Sequence, residues 1–196
     1  MSLKIFPLAV KAMQQGRQRQ GQSLEAWVMD EHRIGLKPVL RRVWSLRGQR
    51  PIVRIHPRYQ WLYIYAFAQP TTGRSFYLLM PTVSIEAFSV ALREFAVCVG
   101  CDDQHQILLL LDNAGWHTSP NVQSPPGLAL RFLPPYSPEL QPAEHLWQLT
   151  DAPLVNRCFN TLDDLEASLI DHCCWLELQL DLVRSATCFD WWPHIA

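Results

Sequence analysis

The pattern of hydrophobic and polar positions changes period several times along the chain, and each period predicts a different element. Ile107 to Leu111 form an unbroken aliphatic run, which is typical of a strand buried on both faces. Runs rich in aromatic, β-branched and aliphatic residues predict four more strands. Their segments are "LEAWVMDEH" (24–32), "YQWLYIYAFA" (59–68), "SFYLLMP" (75–81) and "LALRFLPP" (128–135). The turn "TTGR" joins the second and third of these segments as a hairpin.

Apolar residues at helical spacing predict helices between and after the strands. The candidate helices are residues 3–15 and three that begin after Ser84, near Pro142 and after Thr161. The third should end or kink before Pro153, and Asp164 gives the fourth a capping-box-like start. Because hairpins come first and β-α-β units follow, the order implies an α/β fold with a mixed sheet and helices on both faces.

The composition is that of one globular domain. The chain has 196 residues, of which 48% are hydrophobic and 18% are charged. No apolar run approaches the roughly 20 residues that span a bilayer, so we expect a cytoplasmic protein without a membrane segment. Six cysteines fit that compartment as free thiols. Cys98 and Cys101 with His105 suggest zinc as an alternative, but a second pair of ligands is missing from the pattern.

The small net charge of −1 hides a strong asymmetry along the chain. Residues 1–60 hold twelve Lys and Arg against three Asp and Glu. Within residues 33–58, here called the basic segment, there are eight basic residues and no acidic one. The segment is predicted to contain two short strands around a turn at Arg47–Gly48. It is either a solvated basic face or a surface that binds nucleic-acid phosphates.

Three carboxylates stand where strands end or a helix begins. Asp30 and Glu31 end the first predicted strand, Asp112 follows the run 107–111, and Glu144 lies in the first turn after Pro142. Two strand ends and one helix start can converge on a point, and three such carboxylates would suit Mg²⁺. Glu31 should point to the other face of its strand, which makes it a poor substitute ligand. The alternative for Asp112 is that it opens a turn or caps a helix.

Three segments together resemble one known family, the DDE transposases of bacterial insertion sequences related to the mariner superfamily. The segments are "WVMDEHRIGLKPVLRRVWSLRGQRP", "ILLLLDNAGWH" and "LRFLPPYSPELQPAEHLW". The resemblance implies a ribonuclease-H-like fold, a mixed β-sheet of about five strands flanked by helices on both faces. It implies that Asp30, Asp112 and Glu144 are catalytic and bind two Mg²⁺ or Mn²⁺ ions. The implied reaction cuts transposon ends and joins the 3′ hydroxyl to target DNA.

The resemblance also implies supporting residues and partners. Asn113, His117 and His145 should shape the site. The expected partners are double-stranded DNA, as terminal repeats and target, and a second copy of the chain when active. The expected location is the bacterial cytoplasm, with the nucleoid. The residues expected to bind DNA are Arg33, Lys37, Arg41, Arg42, Arg47 and Arg50.

The chain departs from the family pattern in three ways. We expect residues 1–22 to be a linker-helix remnant and 23–196 the catalytic domain, with the usual N-terminal helix-turn-helix region absent. The interval between Asp112 and Glu144 is a few residues shorter than relatives suggest, and Asp151 and Pro153 interrupt a helix that relatives continue. These departures leave open an alternative: a non-catalytic remnant that only binds DNA or dimerises.

Overall fold

The predicted strands form one mixed sheet, described here from a computed structural model that covers residues 6–49, 52, 58–134 and 140–192. The sheet order is β3-β2-β1-β4-β5, with β1–β2 and β2–β3 antiparallel and β1–β4 and β4–β5 parallel. The strands are β1 (Ser23–Gly35), β2 (Trp61–Gln69), β3 (Arg74–Met80), β4 (His105–Leu111) and β5 (Leu128–Phe132). The helices are α1 (Phe6–Gln18), α2 (Ile85–Val99), α3 (Leu146–Thr150), α4 (Leu162–Glu177) and α5 (Leu180–Thr187). The predicted α/β sheet of five strands is therefore confirmed.

The helices begin where their capping residues predict. The side chain of Ser84 accepts a hydrogen bond from the backbone N–H of Ala87, at 3.1 Å, and so starts α2. Thr161 and Asp164 form a complete capping box at the start of α4. The helix predicted near Pro142 starts with a 3-10 turn, Pro142–His145, continues as α3 and ends before Pro153, as predicted.

Helices cover both faces of the sheet, and each face has its own hydrophobic core. One face, called here the α4 face, is covered by α1, α3, α4 and α5, through residues such as Val10, Leu146, Leu169 and Val183. The other, called the α2 face, is covered by α2, and its core includes an aromatic cluster of Trp27, Phe67 and Phe95. Alternate residues of β1 therefore belong to opposite cores.

Two predictions about strands are wrong. β1 does not end at Asp30 and Glu31. Its pairing with β4 stops at Val28, but its pairing with β2 continues to Gly35. The first of the two strands predicted around Arg47–Gly48 is not formed, since residues 40–46 are exposed and carry no strand pairing. The turn itself is present, with Gly48 at a φ of 88°. The second of those strands lies mostly outside the described residues.

Helix α5 was not predicted from the sequence. It is short, it follows α4 after two residues, and its apolar residues Val183 and Leu180 give only one turn of periodicity. Val183 is nevertheless completely buried on the α4 face. Within the described ranges, no helix is both long and apolar enough to cross a membrane.

Candidate catalytic carboxylate site

The sheet register places Asp30 beside Asp112. In the parallel pair β1–β4, Val28 lies opposite Leu110, and both belong to the core of the α4 face. That is the last pair of the two strands; continued by two residues, the same register would put Asp30 opposite Asp112, and the alternation of a strand returns Asp30 to the α4 face. The parallel pairing therefore puts two carboxylates at the same edge of the sheet.

Glu144 reaches the same region from the short 3-10 turn. That turn lies on β1, where the side-chain amide of Gln141 donates a hydrogen bond of 2.9 Å to the backbone oxygen of Met29. Ala143 and Leu146 are buried in the core of the α4 face, so Glu144, between them, is left on the exposed side. The turn therefore has a buried side, with Ala143 and Leu146, and an exposed side, with Glu144.

The pKa of Asp30 responds to the charges of the other two carboxylates. Burial raises the pKa of Asp30 to about 7, with help from the charge of Glu31 and from the charges of Asp112 and Glu144. A hydrogen bond of 2.9 Å from the backbone N–H of Glu31 opposes the rise. Negative charge is thus crowded around a partly buried carboxyl group.

This donor set suits a hard divalent cation, which takes oxygen ligands and neutralises crowded carboxylates. Among the residues that the structure describes, however, no three His, Cys, Asp or Glu side chains are grouped closely enough to hold a metal ion as they stand. One carboxylate of the three, Asp112, is engaged with a histidine instead. Metal binding by Asp30, Asp112 and Glu144 therefore stays a prediction.

Asp112 is held by its own loop. Its Oδ1 atom accepts a hydrogen bond of 2.7 Å from Nδ1 of His117 and another of 3.0 Å from the backbone N–H of Ala114. These bonds lower the pKa of Asp112, His117 contributing most, although burial opposes them. Asp112 is thus a fixed, ionised group, and the turn reading of this aspartate is also correct in part.

His117 continues the connection to a second carboxylate. Its Nε2 atom lies 2.9 Å from Oε1 of Glu31, and the indole N–H of Trp116 donates to the same oxygen at 3.2 Å. Glu31 does point to the opposite face from Asp30, as predicted, since it lies opposite Tyr65 of the α2-face core. The side chains of His117 and Glu31 are only 1% and 6% exposed.

A buried histidine between two carboxylates is protonated at neutral pH. Burial lowers the pKa of His117, but the hydrogen bonds and charges of Asp112 and Glu31 together outweigh it and raise the pKa to about 9. Its ring also packs against Phe88 of α2, with the ring centroids 4.5 Å apart. His117 therefore links β1, α2 and the loop that carries Asp112.

The other two supporting residues have structural contacts. The side-chain amide of Asn113 donates a hydrogen bond to the backbone oxygen of Leu133, which follows β5. His145 packs edge to face against Phe189, with ring centroids 4.7 Å apart, and is otherwise exposed. Their roles in a reaction stay predictions, and their contacts tie the catalytic loops to β5 and to the segment after α5.

A second histidine beside Asp30 was missed by sequence reasoning. His32 follows Asp30 on the same face of β1, its ring stacks on Trp147 at 4.8 Å, and its Nε2 lies 3.1 Å from Oδ1 of Asp151. Asp151, one of the departures from the family pattern, is therefore joined to the strand that carries Asp30. The alternation of β1 would have placed His32 on this face, but nothing in the sequence names its partner.

The basic segment leaves the sheet next to this site. Its described residues Arg33, Lys37, Arg41, Arg42 and Arg47 are all exposed, and Arg33 lies over the ring of Trp61. Arg50, also predicted to bind DNA, lies outside the described residues. The exposure leaves these cations available for phosphate contacts.

The beginning of the basic segment is anchored to the loop after α3. The side-chain amide of Asn156 accepts from the backbone N–H of Arg41 and donates to its carbonyl oxygen, each at 3.1 Å. Val39 and Val155 form a β-bridge beside these bonds, and Asn156 adopts a φ of 57°. The basic segment is thus fixed at Val39 and Arg41 to the loop after α3.

Comparisons with known proteins place this geometry in a family. The family model of the DDE superfamily endonucleases matches residues 25–166, a range that contains Asp30, Asp112 and Glu144. An uncharacterised protein of Sinorhizobium fredii, y4pE/y4sA, is 40% identical over 115 residues, which cover 58% of this chain and 81% of that protein.

Two solved structures share the fold. The mariner Mos1 paired end complex with Mg matches with a TM-score of 0.60 and 15% identity, over 96% of this chain and 60% of that one. The Mos1 mariner paired end complex with Mn matches with a TM-score of 0.56 and 16% identity, over 95% and 63%. The chain spans about three fifths of the length of these Mos1 chains. Because the family model covers well over half of the chain, this protein belongs to the DDE superfamily endonucleases.

Proposed function

We propose that this chain is the catalytic domain of a transposase, which hydrolyses phosphodiester bonds at transposon ends and transfers the freed 3′ hydroxyl into target DNA. The observation that supports it most is that Asp30 on β1, Asp112 after β4 and Glu144 in the 3-10 turn all lie in the range that the family model matches, and that the charges of Asp112 and Glu144 both act on Asp30. A remnant without chemistry would gain nothing from a buried carboxyl group whose ionised form is disfavoured by burial and by neighbouring charges. Residues 23–196 form the catalytic domain in this proposal, and α1 belongs to a linker.

In this proposal Asp30, Asp112 and Glu144 hold two Mg²⁺ or Mn²⁺ ions. Bound metal would activate the attacking hydroxyl and stabilise the leaving oxygen of the phosphodiester. Asp30 must lose its proton before it can act as a ligand, and its pKa of about 7 allows this near neutral pH. Asp112 is ionised already, because His117 stabilises its charge.

The exposed cations of the basic segment bind the DNA backbone in this proposal. Asn156 binds the backbone of Arg41, and Arg42 is the next residue, so the two side chains would hold phosphates at a defined place relative to the carboxylates. The matched Mos1 structures are paired end complexes, and we extend that arrangement to two copies of this chain acting on double-stranded DNA. Such a protein would work in the bacterial cytoplasm, at the nucleoid.

A cleavage assay tests the proposal. The chain is incubated with labelled DNA carrying the ends of its own element, with Mn²⁺ or Mg²⁺, and with a DNA recognition domain added where a neighbouring reading frame encodes one. We expect nicking at the element ends that requires metal and disappears in Asp112→Asn. Cleavage by Asp112→Asn at the parental rate would contradict the proposed site, since Asn keeps the shape of Asp and loses only its charge.

A further inference from the structure

Two buried residues that are not part of the carboxylate set decide how Asp112 is presented. We infer that Glu31 and His117 are positioning residues for the proposed reaction: Glu31 fixes the ring of His117, and His117 fixes the carboxylate of Asp112 so that its second oxygen faces Asp30. This inference rests on the proposed function of the site. It assigns Glu31, a residue that cannot itself be a ligand, a part in metal binding.

The carboxylate of Asp112 is held through one of its two oxygens. Within the described part of the chain, the hydrogen bonds to this carboxylate, from His117 and from Ala114, are both accepted by Oδ1. Two hydrogen bonds to one oxygen restrict the rotation of the carboxylate about its Cβ–Cγ bond. In this inference the other oxygen, Oδ2, which accepts neither of these bonds, is the one that faces Asp30.

The ring of His117 is itself attached at its second nitrogen. A histidine ring that held Asp112 through one nitrogen could still swing about its own side-chain bonds. Here Nε2 is bound to Glu31 at 2.9 Å, and Phe88 covers one side of the ring. Glu31 is itself fixed by the indole N–H of Trp116, at 3.2 Å. The ring is held at both nitrogens, which is how partners of metal ligands set the orientation of a site.

The hydrogen bonds from Glu31 through His117 to Asp112 connect two strands of the sheet. Glu31 belongs to β1, the strand that carries Asp30, and it points to the opposite face. Asp112 follows β4, where the pairing with β1 has ended. The bonds through His117 therefore join the two strands beyond their last backbone pair, and they fix the distance between Asp30 and Asp112 where the ladder no longer does.

The experiment measures Mn²⁺ affinity, by electron paramagnetic resonance of free Mn²⁺ during titration of the whole chain, without DNA. Glu31→Ala removes the anchor of the ring. His117→Gln places an amide N–H where the ring Nε2 meets Glu31 but leaves no donor in place of Nδ1, which meets Asp112. We expect each to weaken Mn²⁺ binding about tenfold or more, which is the usual loss when such partners are removed. Glu31→Gln keeps the acceptor oxygen and should restore most of the affinity.

Glu25→Ala is the matched control. Glu25 lies on the same face of β1 as Glu31 and likewise accepts from a tryptophan, Trp27, and from a cation, Arg74, but at the other end of the strand. Its removal should leave Mn²⁺ affinity unchanged. An equal loss in Glu25→Ala would overturn the inference, because any broken ion pair on β1 would then have the same effect.

Asp112→Asn tests the proposed metal site separately from the positioning roles of Glu31 and His117. Parental Mn²⁺ affinity in Asp112→Asn would overturn the proposed site itself. Loss of Mn²⁺ binding in Asp112→Asn together with parental affinity in both Glu31→Ala and His117→Gln would overturn only the positioning roles. If Glu31→Ala does not fold, His117→Gln against the Glu25→Ala control decides the question alone.

Discussion

Asp30→Asn should stabilise the folded chain, and the gain should depend on pH. Asp30 is partly buried among negative charges, so its ionised form is disfavoured in the folded state. The backbone N–H of Glu31 donates to Oδ1 of Asp30, and the amide oxygen of Asn can accept the same bond. The substitution therefore removes the charge without removing the local hydrogen bond.

The expected size follows from the pKa of Asp30, which folding raises from 3.8 to about 7. Between these values the folded chain holds a proton that the unfolded chain has lost, so the stability of the parent falls as the pH rises towards 7. With about 1.4 kcal/mol for each pH unit in that window, the parent should lose about 2 to 3 kcal/mol between pH 5 and pH 8 through this group. Asn, which does not titrate, loses nothing.

Urea unfolding of both proteins at pH 5 and pH 8, with chelator present, measures the difference. Titrating groups that do not interact with Asp30 are common to the two proteins and cancel in the comparison. The gain in the free energy of unfolding from Asp30→Asn should be larger at pH 8 by about 2 to 3 kcal/mol. The same gain at both pH values would refute the reasoning, because Asp30 would then be an ordinary surface carboxyl group.

Three further outcomes are expected. Replacing Arg41 and Arg42 with Ala should weaken DNA binding for all sequences and flatten its salt dependence. Filter binding at several salt concentrations measures both, and an unchanged salt slope would count against phosphate contacts. Asn156→Gly, which keeps the left-handed backbone but loses both bonds to Arg41, should speed amide hydrogen exchange at Arg41, and unchanged protection would exclude the anchor. Thr161→Ala should cost about 1 kcal/mol in chemical unfolding through loss of the bond to Asp164, whereas Thr161→Ser should cost almost nothing.

Local patterns were enough to predict most of the fold. The aliphatic run before Asp112, the hairpin around Gly73 and the capping residues Ser84 and Thr161 each act over a few neighbouring residues, and each element formed where they indicated. The placement of Asp30 beside Asp112 needed more, namely the parallel pairing of β1 with β4. That pairing could be expected only from the resemblance to a family.

Contacts between distant segments could not be predicted. Alternation along β1 correctly turned Glu31 away from Asp30, but only the path of the loop after β4 brings His117 round to meet Glu31. The first strand expected in the basic segment is not formed over residues 40–46, because β propensity alone does not make a strand where no pairing forms. Asp151 read as a sign of decay in the sequence, and in the structure it is the partner of His32.

Diffraction from crystals grown with Mn²⁺ tests the central claim most directly, because anomalous scattering locates the metal without assumptions about its ligands. The account predicts Mn²⁺ within coordination distance of Asp30, Asp112 and Glu144, with Oδ2 of Asp112 as the ligand atom and Oδ1 still bound to His117. Mn²⁺ found only elsewhere on the chain, or bound with none of these three carboxylates as a ligand, would contradict it.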